Sequence, residues 1–114
     1  MKLAIVGSRN LDQIKIDKYI PNSITEIVSG GARGVDMVAK EFARKNGITY
    51  VEFLPKYQRY GKAAPIKRNE EIAQYADEAL ALWDGKSKGT AQTIHLFEKL
   101  NKKVTVIIIN ETLS

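Results

Sequence analysis

Three short stretches of the chain combine glycine, hydroxyl and cationic residues in the pattern that a bound phosphate needs. The first, Gly7-Ser8-Arg9-Asn10, places a flexible backbone, a hydroxyl and a guanidinium side by side. The second, Ser29-Gly30-Gly31-Ala32-Arg33-Gly34-Val35-Asp36, runs directly into a segment of helical patterning. Glycines let a phosphate reach backbone amides, a helix N-terminus favours negative charge, and Arg33 adds a forked donor. Gly31 is the expected point of closest approach. The third, Asp84-Gly85-Lys86-Ser87-Lys88-Gly89-Thr90, opens another helical segment and offers the same physics again. Lys67-Arg68-Asn69 stands near the start of a further helix, where Arg68 can reach the same site and Asn69 can fix a loop. Each feature also has a plain structural reading. The glycines can form a tight strand-to-helix turn, Lys67 to Asn69 can be a solvated helical face, and Asp36 can stabilise a first helical turn instead of binding a sugar hydroxyl.

Several chemistries are disfavoured. Neither glycine-rich loop has the Walker A spacing G-x-x-x-x-G-K-[ST] or the dinucleotide spacing G-x-G-x-x-G, which argues against a kinase or a dehydrogenase. His95 is the only histidine. It falls about one and a half helical turns beyond Thr90, roughly 7.5 Å along the axis, and reads as a helix-surface or packing residue. With no cysteine and no histidine cluster, neither a metal nor a cofactor is expected. Ser8, Ser29 and Ser87 lack evident triad partners, which leaves Asp36, Asp84 and Glu70 as the available acids or bases. Tyr57, Tyr60 and Trp83 can stack on a base, although a tryptophan at a strand end more often packs. No catalytic residue is assigned.

These loops need a scaffold that brings them together. Short apolar, β-branched runs recur at Leu3 to Val6, Ile24 to Val28, Ile48 to Leu54, Ala79 to Trp83 and Val104 to Ile109, with helix-like segments between them. Strands alternating with helices imply a parallel sheet. The clearest helix carries Val35, Val38, Ala39, Phe42 and Ala43 and ends at Gly47. Pro65 suits the first turn of a helix carrying Ile72, Ala73 and Ala76, and Thr90 is the expected cap of one carrying Ile94, Phe97 and Leu100. Leu11 to Ile20 is expected to be helical, although Ile14 and Ile16 fit the period poorly. Lys56 to Ala64 reads as a longer, basic and aromatic loop that could act as a lid. The fold class is thus α/β: a single three-layer, Rossmann-like domain spanning residues 1–114, with about five parallel strands and helices on both faces. Ligands of such sheets sit beyond the carboxyl ends of the strands, at a topological switch point.

The length of 114 residues suits one core. No apolar run approaches the roughly 18 residues that suggest a membrane span, and Leu3 to Val6 is too short for a signal-peptide core, so a soluble, cytoplasmic protein is expected. The net charge of +5 is open between a solubilising surface and an anionic partner. Nine of the eighteen basic residues (Arg9, Arg33, Lys56, Arg59, Lys62, Lys67, Arg68, Lys86 and Lys88) fall in or beside loops at one sheet edge, which favours the anion.

Four motifs occur in register: Ile5-Val6-Gly7-Ser8-Arg9; Ser29 to Asp36; Arg68-Asn69 with Ile72-Ala73; and Lys86-Ser87-Lys88-Gly89-Thr90. In this the chain resembles the Smf/DprA-LOG, or SLOG, superfamily over nearly its whole length, most of all the small YspA-like proteins, with motifs similar to the Rossmann domain of DprA. The resemblance implies phosphate contacts from Ser8 to Arg9, Gly30 to Gly34 and Lys86 to Thr90, and implies that homodimers are common. It brings two classes of partner, a nucleotide-like small molecule and, as in DprA, single-stranded nucleic acid. The cytokinin-activating LOG branch hydrolyses nucleotide N-glycosidic bonds with a glutamate three residues after its Gly-Thr. Here that position is Thr93. The leading expectation is therefore binding or sensing of a nucleotide-derived ligand, with strand binding or a phosphoribohydrolase-like activity behind it. The expected ligand-binding residues are Gly7, Ser8, Arg9, Ser29, Gly30, Gly31, Arg33, Gly34, Asp36, Arg68, Asn69, Asp84, Lys86, Ser87, Gly89 and Thr90.

Overall fold

The computed structural model describes residues 1–8, 11, 14–31 and 34–109. Its centre is a sheet of five parallel strands: β1 (Lys2–Gly7), β2 (Glu26–Ser29), β3 (Thr49–Glu52), β4 (Glu78–Trp83) and β5 (Val104–Ile108). Strands β1 and β4 read as continuous apolar runs because both of their faces are covered. Leu3 and Ile5 of β1 join Leu80 and Leu82 of β4 in one buried cluster, while Ala4 and Val6 join Ala79 and Ala81 in another. The expected α/β fold with helices on both faces is the observed one.

Four helices complete the layers: α1 (Val35–Lys45), α2 (Tyr57–Tyr60), α3 (Ala64–Tyr75) and α4 (Lys88–Lys99). Helix α1 buries Val35, Ala39 and Ala43 against the leucine and isoleucine face. It stops at Asn46, and Gly47 follows with φ +63°, a conformation that glycine adopts cheaply. Helices α3 and α4 bury Ile72, Ala73 and Phe97 on the opposite face, with Ala76 just past the end of α3, where the alanines of β1 and β4 allow close approach. The Lys102 ammonium donates to the carbonyls of Ala73, Gln74 and Ala76 at 2.7, 3.0 and 2.8 Å, which satisfies the exposed end of α3.

Three local expectations are corrected. Among the described residues of the Leu11 to Ile20 segment, the only helical element is a single 3-10 turn at Asp17–Tyr19. Leu11 and Ile16 are buried against the sheet with Ile14 packed beside them, an arrangement that two isoleucines only two positions apart cannot share on one helical face. Thr90 is not the cap of the last helix. Ser87 occupies that position, and Thr90 lies buried within the first turn. The Lys56 to Ala64 loop is instead ordered as α2 followed by a 3-10 turn at Gly61–Ala63.

The strand order β3-β2-β1-β4-β5 sends the chain from β1 to one side and from β4 to the other. Between the carboxyl ends of β1 and β4 the loops therefore part and leave a crevice. Gly7 pairs with Leu82 at its floor.

Candidate functional site

A cavity of about 350 Å³ occupies that crevice. Nine of the sixteen residues expected from the sequence line it: Gly7, Ser8, Gly30, Asp36, Arg68, Asn69, Ser87, Gly89 and Thr90. They come from the end of β1, from the loops after β1, β2 and β4, from the first turns of α1 and α4 and from the second turn of α3. Lys88 and Thr93, together with the apolar Val6, Pro65 and Ile72, complete the lining. The sequence places Val6 in a strand, Ile72 on the core face of a helix and Pro65 in that helix's first turn, and marks Thr93 only as the counterpart of a family glutamate. Lys88 belongs to the Lys86 to Thr90 motif and to the basic edge, without being one of the sixteen expected ligand-binding residues. Arg9 and Arg33 lie outside the described residues.

Ser8 ties the loops together. Its amide donates to the Leu82 carbonyl at 3.2 Å, and its carbonyl accepts from the Val35 amide at 3.4 Å. Its hydroxyl oxygen accepts from the Asp84 amide at 3.1 Å and is hydrogen-bonded with the Ser87 hydroxyl at 3.0 Å. A residue only 1% exposed thereby joins β1 to β4 and the start of α1 through its backbone, and to the turn before α4 through its side chain. The Asp84 carboxylate accepts from the amides of Lys86 and Ser87, each at 2.8 Å, and from the Ser87 hydroxyl at 3.3 Å. Those bonds, led by the Ser87 and Lys86 amides, hold its pKa below the usual carboxylate value. Asp84 thus shapes the turn before α4 and does not line the cavity, and neither does the exposed Lys86. Trp83 likewise packs over this turn, donating from Nε1 to the Ser87 carbonyl at 3.0 Å. His95 is exposed on α4, in keeping with a helix-surface residue.

The loop after β2 is braced from behind. Ser29 is fully buried, and its hydroxyl oxygen accepts from the Gly31 amide at 3.3 Å and from the Tyr50 hydroxyl at 3.1 Å. Burial pushes the Tyr50 phenol up to about 12, with the Glu52 and Asp36 charges adding to the rise and the Ser29 bond opposing it. Gly31, at φ +72°, does not line the cavity. A β-carbon there would meet Glu52 and Leu54 at 2.7 Å, so glycine is required by the turn itself. Gly34 has φ 73° and ψ −124° at the N-cap of α1, again a conformational need. On the cavity side, Arg68 donates to the Gly30 carbonyl and to Asn69 Oδ1, both at 2.9 Å, and Asn69 donates to Gln92 Oε1 at 2.9 Å. This chain links the β2 loop, α3 and α4 across the mouth. Nothing in the sequence pattern marked Gln92 as its last member.

At the opposite wall, α4 begins with Lys88, Gly89 and Thr90. Thr90 is 6% exposed, and its hydroxyl has no hydrogen-bond partner among the described residues. The amides of this first turn have no intrahelical acceptors. Thr93 Oγ1 donates to the Gly89 carbonyl at 3.0 Å, and both residues line the cavity. A β-carbon built on Gly89 would meet nothing within 4 Å.

The model of the family described as YspA, cpYpsA-related SLOG matches residues 1–60, the part of the chain from β1 to α2. No curated protein and no solved structure matches the chain. No helix among the described residues is long and apolar enough to cross a membrane.

Proposed function

The chain belongs to the YspA, cpYpsA-related SLOG family, and from that premise we propose that it binds a phosphate-bearing, nucleotide-derived ligand in the crevice between β1 and β4. The observation that carries this reading is Gly89. Glycine in a helix is unfavourable by roughly 0.5–1 kcal/mol relative to alanine, and neither backbone angle nor packing calls for it here. What it provides is access to the free amides at the start of α4. An anion seated there meets those amides, the Thr90 hydroxyl and the Lys88 ammonium. Val6, Pro65 and Ile72 supply an apolar wall for the nucleoside, and Asp36, the one carboxylate lining the cavity among the described residues, suits a sugar hydroxyl.

Binding rather than hydrolysis is the role these groups support. Thr93 stands where a hydrolytic glutamate would be needed and is engaged with the Gly89 carbonyl. A thermal-shift screen of nucleoside mono- and diphosphates, dinucleotides and nucleotide sugars tests the proposal, with mass spectrometry of ligand co-purified with the protein. A ligand at a hundredfold excess over Kd adds about 2.7 kcal/mol of stability. If no nucleotide raises the melting temperature or is displaced by Gly89→Val, the proposal fails.

A further inference from the structure

The chain's positive charge is not spread over its surface. Between Glu52 and Glu70 stand five basic residues and no acid, while the remaining thirteen basic residues are matched by the thirteen acids. The whole excess of +5 thus resides in one stretch, which forms α2, the 3-10 turn and the start of α3. That stretch borders the cavity, because Pro65 and Arg68 belong to both. Lys56 and Lys67 are drawn toward Glu71 and Glu70 at 3.7 and 3.8 Å. Arg59 and Lys62 have no acidic partner among the described residues, and the Arg59 guanidinium lies 5.4 Å from the Tyr60 ring centre. Beside them Tyr57 is 58% exposed.

A single phosphate group needs no such surface. The α4 turn, Lys88 and Arg68 already surround a cavity near the small end of ligand-site volumes. Cations interleaved with an exposed aromatic ring suit a chain of phosphates carrying planar groups, since phosphates pair with the cations and bases stack on the ring. On these grounds, and resting on the cavity reading above, we infer that the ligand is the phosphorylated end of a single nucleic-acid strand. Its terminal phosphate sits at the start of α4, and the following nucleotides leave past Pro65 across Tyr57, Arg59 and Lys62.

The test is fluorescence anisotropy on the intact protein with oligodeoxythymidylates of roughly eight nucleotides. Strands carry a 5′-phosphate, a 3′-phosphate or neither, and the mononucleotide and a poly-glutamate peptide of equal charge serve as competitors. One phosphorylated strand should bind at least about tenfold more tightly than both the unphosphorylated strand and the mononucleotide, with a log–log salt slope of about −0.7 per phosphate engaged. R59A/K62A should bring that strand down to the affinity of the mononucleotide, whose own binding stays unchanged. G89V should abolish the advantage of the end phosphate, with circular dichroism confirming that both variants are folded. Equal affinity for strand and mononucleotide, insensitivity to R59A/K62A, or equal displacement by poly-glutamate overturns the inference while leaving the cavity reading intact. If neither mononucleotide nor strand responds to G89V, the cavity reading itself is wrong.

Discussion

Replacing Gly89 by alanine separates what the fold needs from what a ligand needs. The added methyl has no neighbour within 4 Å, and the residue lies in the first turn of α4, where alanine is a better helix former. Removing glycine's freedom from the unfolded chain should raise stability by about 0.4–1 kcal/mol, which for a domain of this size corresponds to roughly 2–6 °C in Tm. Binding should move the other way. The same methyl occupies the space through which an anion reaches the α4 amides, and each charge-assisted bond lost or lengthened costs about 1.5–3 kcal/mol. One such bond corresponds to a weakening of roughly ten- to a hundredfold.

Two measurements decide the matter: thermal denaturation of the free protein, and isothermal titration with the best nucleotide from the screen. The expected pair of results is a Tm at or above that of the wild type together with a Kd raised at least about tenfold. A variant that binds within about twofold of the wild type refutes the argument that this glycine exists for access. A variant of lower Tm refutes the premise that the position has room for a methyl.

Other substitutions probe the surrounding frame. Gly31→Val should lower the urea midpoint of unfolding, because a φ of +72° strains a branched residue by about 1–3 kcal/mol and its β-carbon meets Glu52 and Leu54; unchanged stability would show that the turn is not constrained as described. Asp84→Asn should destabilise the protein near neutral pH and progressively less in acid. The folded pKa of Asp84 is lowered, so its contribution is complete above the ordinary carboxylate value near pH 4 and is lost as the pH falls through the lowered one; stability curves of variant and wild type that stay parallel below pH 4 count against this. Tyr50→Phe should remove a tyrosine that titrates at about 12 from the ultraviolet difference spectrum. Because that phenol is raised in the folded state, the stability tied to it is complete below the ordinary value near pH 10 and is lost as the pH rises toward 12, a slope the variant should lack.

Much of this architecture is legible from period and composition. The apolar runs gave five strands, the spacing of Val35, Ala39 and Ala43 gave α1, and Pro65 marked the first turn of α3. The first connection differs from the helix expected of it because its apolar residues are spaced for burial, and burial alone does not make a helix. Leu11 and Ile16 reach the core from a largely irregular path. Threonine is a common cap, which is why the sequence points to Thr90, but the turn built by Asp84 starts α4 at Lys88 and places the cap at Ser87. Such a turn depends on the bond that the Asp84 amide donates to Ser8, 76 residues away in sequence, which no local pattern encodes.

The glycines show most clearly where sequence reasoning stops. Read as letters, Gly7, Gly31, Gly34 and Gly89 all look like points at which a phosphate could approach the backbone. In space they answer to different forces. A β-carbon on Gly7 would collide with the Leu82 carbonyl and with Val35, so that glycine lets the β1 end, β4 and α1 meet. Gly31 and Gly34 hold positive φ angles that begin and end the turn into α1. Gly89 alone of the four has ordinary angles and open space beside it. The first three are explained by the fold in isolation, whether or not anything binds. The fourth is not fixed by the fold, and the proposed ligand is what accounts for it; it stands at the start of α4, beyond the residues matched by the family model. The case for a ligand therefore rests on the second half of the chain, where the sheet's reversal of strand order brings that glycine opposite Ser8 and Gly30.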